Sequence, residues 1–120
     1  MIKLRKGDPV IVLTGKDKGK VSKIKQIIRK DGKVKVVVEG VNIAKKHVKP
    51  IQGVREGGIV EIEKPIDISN VAYYDEKLKR PVKIGIKYVV EGDKISKVRI
   101  NKKTGEIIDK VWEKIKKEVQ

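Results

Sequence analysis

Apolar residues along this chain come in short groups, each closed by glycine, proline, asparagine or aspartate. Val10–Leu13 is a continuous apolar run of the kind that forms a strand buried on both faces. In Val21–Arg29 the apolar residues Val21, Ile24, Ile27 and Ile28 fall at helical spacing. Asp31-Gly32 follows, and then Lys33–Glu39 nearly alternates. Asp-Gly between two β-prone runs is a strong hairpin signal, and a hairpin needs a strand on both sides. The pattern therefore predicts a strand over Val21–Arg29, with a bulge. Ile59–Glu63, Ile66–Ile68 and Val71–Tyr74 read as further short extended pieces. Val82–Tyr88 alternates cleanly and Lys97–Asn101 continues after Glu91-Gly92-Asp93. Turns are expected at Lys6–Pro9, Asp75–Pro81 and Lys103–Gly105. Tyr88 is in phase with Val82, Ile84 and Ile86, which predicts core packing for it. Tyr73 and Tyr74 should face opposite sides of their strand.

The period changes at the end of the chain. Val111, Trp112, Ile115 and Val119 share one helical face, Asp109 is placed to cap it, and Glu113–Lys117 is a favourable i,i+4 pair. A helix over 109–120 is expected, with Trp112 packing it against the barrel rather than stacking on a base. Many short strands with regular turns otherwise imply a small barrel or sandwich.

Composition agrees with a β fold. The 120 residues include no Phe and one Trp, so Val and Ile must fill the interior; both are β-branched and suit pleated sheets. Cysteine is absent, which removes disulfides, thiolate metal sites and cysteine nucleophiles. A lone His among scattered carboxylates gives no metal-ligand set. No apolar run is long enough to span a membrane as a helix. No leader-type apolar segment opens the chain, so a soluble, cytoplasmic protein is expected.

Charge changes the picture most. The net charge is +15, and residues 1–50 carry 15 Lys/Arg against 4 Asp/Glu, while residues 51–120 carry 16 against 12. A basic surface of this kind repels itself unless a polyanion neutralises it and releases counterions. A heat-stable surface of ion pairs would need both signs in comparable number, and the first 50 residues have too few acids for that. An anionic membrane would call for a basic amphipathic helix, which that half does not contain. Nucleic acid is the expected partner.

Within the basic half, Lys6-Gly7-Asp8-Pro9-Val10-Ile11-Val12-Leu13-Thr14-Gly15-Lys16-Asp17-Lys18-Gly19-Lys20-Val21 resembles a KOW motif, the strand–loop–strand unit of SH3-like barrels. Gly15 and Gly19 can take positive φ, and without side chains there the backbone can approach a sugar-phosphate chain. Lys16, Lys18 and Lys20 surround that approach. Many KOW units have glycine where this chain has Ser22, which questions the loop's conformation. The loop is not a P-loop, for the Walker spacing and its Ser/Thr are missing. The stretches Val37–Pro50, Gly57–Val71, Val82–Lys87 and Thr104–Ile108 are similar, in order, to successive blocks of the bacterial-type large-ribosomal-subunit protein twenty-four family. Some members carry cysteines near Tyr74–Lys79, where this chain has Asp75, Glu76 and Lys77 and cannot ligate zinc with thiolates. Residues 110–120 extend past the usual family end.

The resemblance implies a mainly β fold: an SH3-like (KOW) small β-barrel over 1–64 with a protruding loop near 50–58, and a C-terminal β extension over 65–108 packed on the barrel. It also implies direct binding of large-subunit rRNA near its 5′ end, early action in subunit assembly, and a place beside the polypeptide exit tunnel. Neighbouring large-subunit proteins would be partners; no cofactor, membrane or small-molecule substrate is implied. The candidate RNA contacts are Lys6, Lys16, Lys18, Lys20 and Lys23 with the loop glycines Gly15 and Gly19. Asn42, Lys45, Lys46, His47 and Lys49 follow in the second motif. Asn42 is read equally as a base or 2′-hydroxyl contact and as a turn residue. His47 can stack on a base or bond a phosphate, and lacks partners for catalysis. A rival reading is a transcription elongation module that presents a KOW barrel to polymerase or nascent RNA. An enzyme acting on RNA lacks any acid–base or metal constellation.

Overall fold

A computed structural model describes residues 3–53 and 57–115. The chain forms two units, one of Arg5–Ala72 and one of Tyr73–Gln120 together with Met1–Leu4. In the first, β1 (Pro9–Val12) pairs antiparallel with β2 (Val21–Lys30), and β2 pairs with β3 (Lys33–Val38). The short β6 (Ile66–Asp67) edges β3, and β7 (Val71–Asp75) begins beside β1. A separate hairpin joins β4 (Ile43–Val48) to β5 (Gly58–Glu63). The fold is mainly β and barrel-like, as expected.

Val10, Val12, Ile24, Val36, Val38, Val41 and Val71 are buried, so β-branched side chains fill the space that aromatics would take elsewhere. Ile11 is only half-buried, so β1 buries one face rather than both. The register of β2 slips between Ile24 and Gln26, which sets Ile24 opposite Val38 and Ile27 opposite Val36. This bulge is why the apolar residues of β2 mimic helical spacing: one extra residue moves the next inward side chain from i+2 to i+3. The hairpin turn has φ of 52° at Asp31 and 73° at Gly32, the positive pair that a two-residue turn requires. Ser22 lies within β2 opposite Val10, in extended backbone, so it carries no positive-φ strain.

In the second unit β7 pairs with β8 (Arg80–Pro81), and β9 (Ile84–Glu91), β10 (Lys94–Asn101) and β11 (Ile107–Ile115) form a three-stranded antiparallel sheet. Val82, Ile84 and Val98 are its buried apolar residues. Two buried polar residues organise it. Asn101 receives the Lys103 N–H at 2.8 Å through its side-chain oxygen and donates to Asp75 at 2.8 Å, fixing the turn into β11. Arg99, 2% exposed, donates from Nε and Nη2 to the two carboxylate oxygens of Asp109 at 2.8 and 2.6 Å, and from Nη1 to the Lys3 carbonyl at 2.9 Å.

The helix expected over 109–120 is corrected here: residues 109–115 belong to strand β11, and 116–120 lie outside the described residues, Lys117 and Val119 among them. Asp109 is a strand residue holding a buried guanidinium rather than a helix cap. The pairing jumps from Lys97 opposite Trp112 to Val98 opposite Lys110, leaving Val111 as a bulge. A bulge again placed adjacent apolar residues where a helix would. Glu113 pairs with Lys110 at 2.9 Å, which holds its carboxyl below the usual range. Tyr88 is also corrected. Ile84 is buried and Ile86 half-buried, but Tyr88 is 56% exposed, because the face runs out past the core.

Asp109→Ala removes a bidentate, charge-assisted contact to a buried cation, and should lower unfolding stability by about 2 kcal/mol in denaturant titrations.

Candidate nucleic-acid interface

The loop 14–20 leaves β1 and returns to β2 through backbone bonds. Gly19 N–H donates to Val12 O at 2.8 Å, and Val12 N–H donates to Lys20 O at 2.9 Å. Gly15 and Gly19 have φ of 85° and 88°. Apart from the adjoining residues of the chain, no heavy atom would lie within 4 Å of a side-chain Cβ at either position. Their glycine identity is thus set by backbone conformation, and the space beside them is open to an incoming chain.

The structure brings this loop against residues 40–43. Asn42 N–H donates to an Asp17 carboxylate oxygen at 2.8 Å. Lys20 Nζ donates to Gly40 O, and Lys16 Nζ to Ile43 O at 3.4 Å. The two motifs, some twenty-five positions apart in sequence, thus form one surface. Each ammonium has three donors, so one carbonyl leaves others to reach phosphate oxygens. Lys18 is exposed in the same turn.

Carboxylates hold this surface by the backbone. Glu63, at the end of β5, receives both the Gly40 N–H and the Lys25 ammonium, the latter at 2.6 Å. The Lys25 hydrogen bond, then that of Gly40, holds its carboxyl below the usual 4.5. Asp8, buried in the turn before β1, receives the Arg5 N–H at 2.7 Å. Sequence reasoning had no signal for Asp17, Glu63 or Lys25, whose partners are distant along the chain.

Asn42 sits at φ 56° and its amide donates to Lys64 O at 3.3 Å, so its turn role is realised. Gly7 N–H donates to Ile24 O at 2.8 Å and Pro9 faces Lys23 across the ladder. Lys6 and Lys23 therefore lie towards the far end of β1 from the glycine loop, both exposed. The lysine cluster of the second motif is divided by strand alternation. Lys45 and His47 share one face of the β4–β5 hairpin, opposite Glu61 and Ile59. Lys46 lies on the other face, opposite Val60 and between Ala44 and Val48. Lys49 follows the strand and is exposed. Ile59 is 61% exposed, and Ile43, Val60 and Ile62 are also exposed, so the hairpin presents apolar side chains on both faces.

Comparison with known proteins gives a consistent result. The profile of the family described as "Large ribosomal subunit protein uL24, C-terminal domain" matches residues 41–108. The chain is 92% identical to large ribosomal subunit protein uL24 of Sulfurihydrogenibium sp. (strain YO3AOP1), over 99% of this chain and 100% of that one. It is 52% identical to the protein of the same name from Wolbachia sp. subsp. Drosophila simulans (strain wRi), over 89% of this chain and 97% of the relative. With the Aquifex aeolicus (strain VF5) protein it shares 46% identity over 94% of each chain.

The Glu63 contacts have a pH signature. A carboxyl held low by its folded partners contributes stability that is complete above its unfolded value and is lost as pH falls through the folded one. Glu63→Gln should melt at lower temperature than the parent at neutral pH. The gap between the two melting temperatures should close as pH falls below 4.5, the ordinary value for this group.

Proposed function

This chain belongs to the family of large ribosomal subunit protein uL24, and on that premise we propose that it binds large-subunit rRNA directly through its glycine loop and the adjoining 40–49 segment. Its role in the ribosome is structural and not enzymatic. The observation that carries the reading is the joining of the two basic motifs into one surface by the Asp17, Lys16 and Lys20 contacts.

In this reading Lys16, Lys18 and Lys20 contact phosphates, and the bare glycines let the RNA backbone come close. Lys6 and Lys23 extend the contact along β1 and β2. Lys45, His47 and Lys49 continue it on the hairpin, with Lys46 on its opposite face. The RNA lies near the 5′ end of the large-subunit rRNA, and binding there stabilises it early in assembly by relieving its self-repulsion. The loop over 50–58, whose residues 54–56 lie outside the described residues, belongs near the exit tunnel in this reading. The hairpin's exposed apolar residues suit contact with neighbouring ribosomal proteins. The elongation-module reading draws on the glycine loop, whereas the family match covers residues 41–108, beyond that loop.

Replacing Lys16, Lys18 and Lys20 together by Ala should weaken binding to a 5′-region rRNA fragment and reduce the salt slope by up to about three units, one per lost phosphate contact. Filter binding across a salt series reads both, with circular dichroism to check the fold. An unchanged slope would remove these lysines from the interface.

A further inference from the structure

A second surface is built on the three-stranded sheet of the Tyr73–Gln120 unit. The residues Tyr88, Lys97 and Trp112 lie in one row across β9, β10 and β11, because Lys97 pairs with Tyr88 on one side and with Trp112 on the other. The next row on the same face is Val90, Ile95 and Lys114. The Tyr88 and Trp112 rings lie 6.0 Å apart, centroid to centroid, tilted by 57°. Lys114 Nζ stands 5.4 Å from the Trp112 ring centroid.

The chain has four aromatic residues, and two of them meet here. Tyr88 is 56% exposed, an unusual placement for a ring in a protein that keeps valine and isoleucine for its core. A half-buried Trp112 braces it from the side. Both charged side chains in the two rows are lysines. An apolar protein partner would gain nothing from them, whereas an unpaired nucleotide offers a flat base to the ring and a phosphate to the ammonium groups. The ammonium over the Trp112 ring belongs to exposed Lys114 and is free to turn to a phosphate once a base stacks on Tyr88. We propose that this sheet face is a stacking platform for an unpaired, single-stranded stretch of RNA. Tyr88 carries the base, Trp112 supports Tyr88, and Lys97 and Lys114 take the backbone. The proposal rests on RNA being the partner, but it concerns a different surface from the glycine loop. Trp112 and Lys114 also fall past the family-matched residues 41–108.

Trp112 is the only tryptophan, so the full chain carries its own probe. Titration with a single-stranded oligoadenylate should quench its fluorescence saturably; a duplex RNA of equal length or inorganic polyphosphate should not. Tyr88→Leu keeps an apolar side chain without a flat ring. It should bind the oligoadenylate roughly tenfold more weakly, as loss of one base stack implies, while Tyr88→Phe binds like the parent. Matching melting curves for the Leu and Phe variants show that folding is not the cause. Equal quenching by duplex or polyphosphate, or undiminished binding by Tyr88→Leu, overturns the platform. Binding of the 5′-region rRNA fragment without any quenching by single strands also overturns it, while leaving the glycine-loop reading intact. Failure to bind either RNA overturns both.

Discussion

Two of the four carboxylates of the basic half, Asp8 and Asp17, serve the backbone, and so does Glu63. Asp17 takes the Asn42 N–H, Asp8 the Arg5 N–H, and Glu63 the Gly40 N–H beside the Lys25 ammonium. A backbone N–H shielded from water needs an acceptor, and a carboxylate is a strong one. The arrangement closes the turns of the surface without setting an acid against each lysine. Lys16 and Lys20 instead rest on carbonyl oxygens, which position an ammonium and leave its charge uncompensated. A surface can thus be well ordered and strongly positive at once, which is what a polyanion-binding face requires.

Much of the fold was legible along the chain. The Asp31-Gly32 hairpin, the strands on either side and the valine-isoleucine core follow from turn chemistry and β-branched content. The C-terminal segment misled because a bulge at Val111 puts adjacent apolar residues side by side, and helical periodicity looks the same in a short window. The same ambiguity existed in β2, where the downstream Asp-Gly turn resolved it. No comparable turn settles the end of the chain. Arg99 gave no hint of its burial, because its bidentate partner Asp109 reads equally well as a helix cap.

The candidate site was legible in kind more than in arrangement. Lysines flanking glycines mark a phosphate-facing loop by composition. That Lys45 and Lys46 lie on opposite faces of a hairpin depends on β4 being a strand, which the mixed segment from Gly40 to Lys49 did not announce. The carboxylate contacts are long-range, and no local pattern encodes them. The phase of Tyr88 points to the core, and phase fixes a face without saying how far along it the core extends.

The central claim is that the glycine loop and the 40–49 segment touch RNA as one surface. Mapping protein–RNA cross-links residue by residue on the full chain bound to large-subunit rRNA tests it most directly. The account predicts links from Lys16–Lys20 and from Lys45–Lys49 to neighbouring nucleotides of one folded region near the 5′ end. Links from only one of the two segments, or from the two to unrelated parts of the RNA, would contradict it.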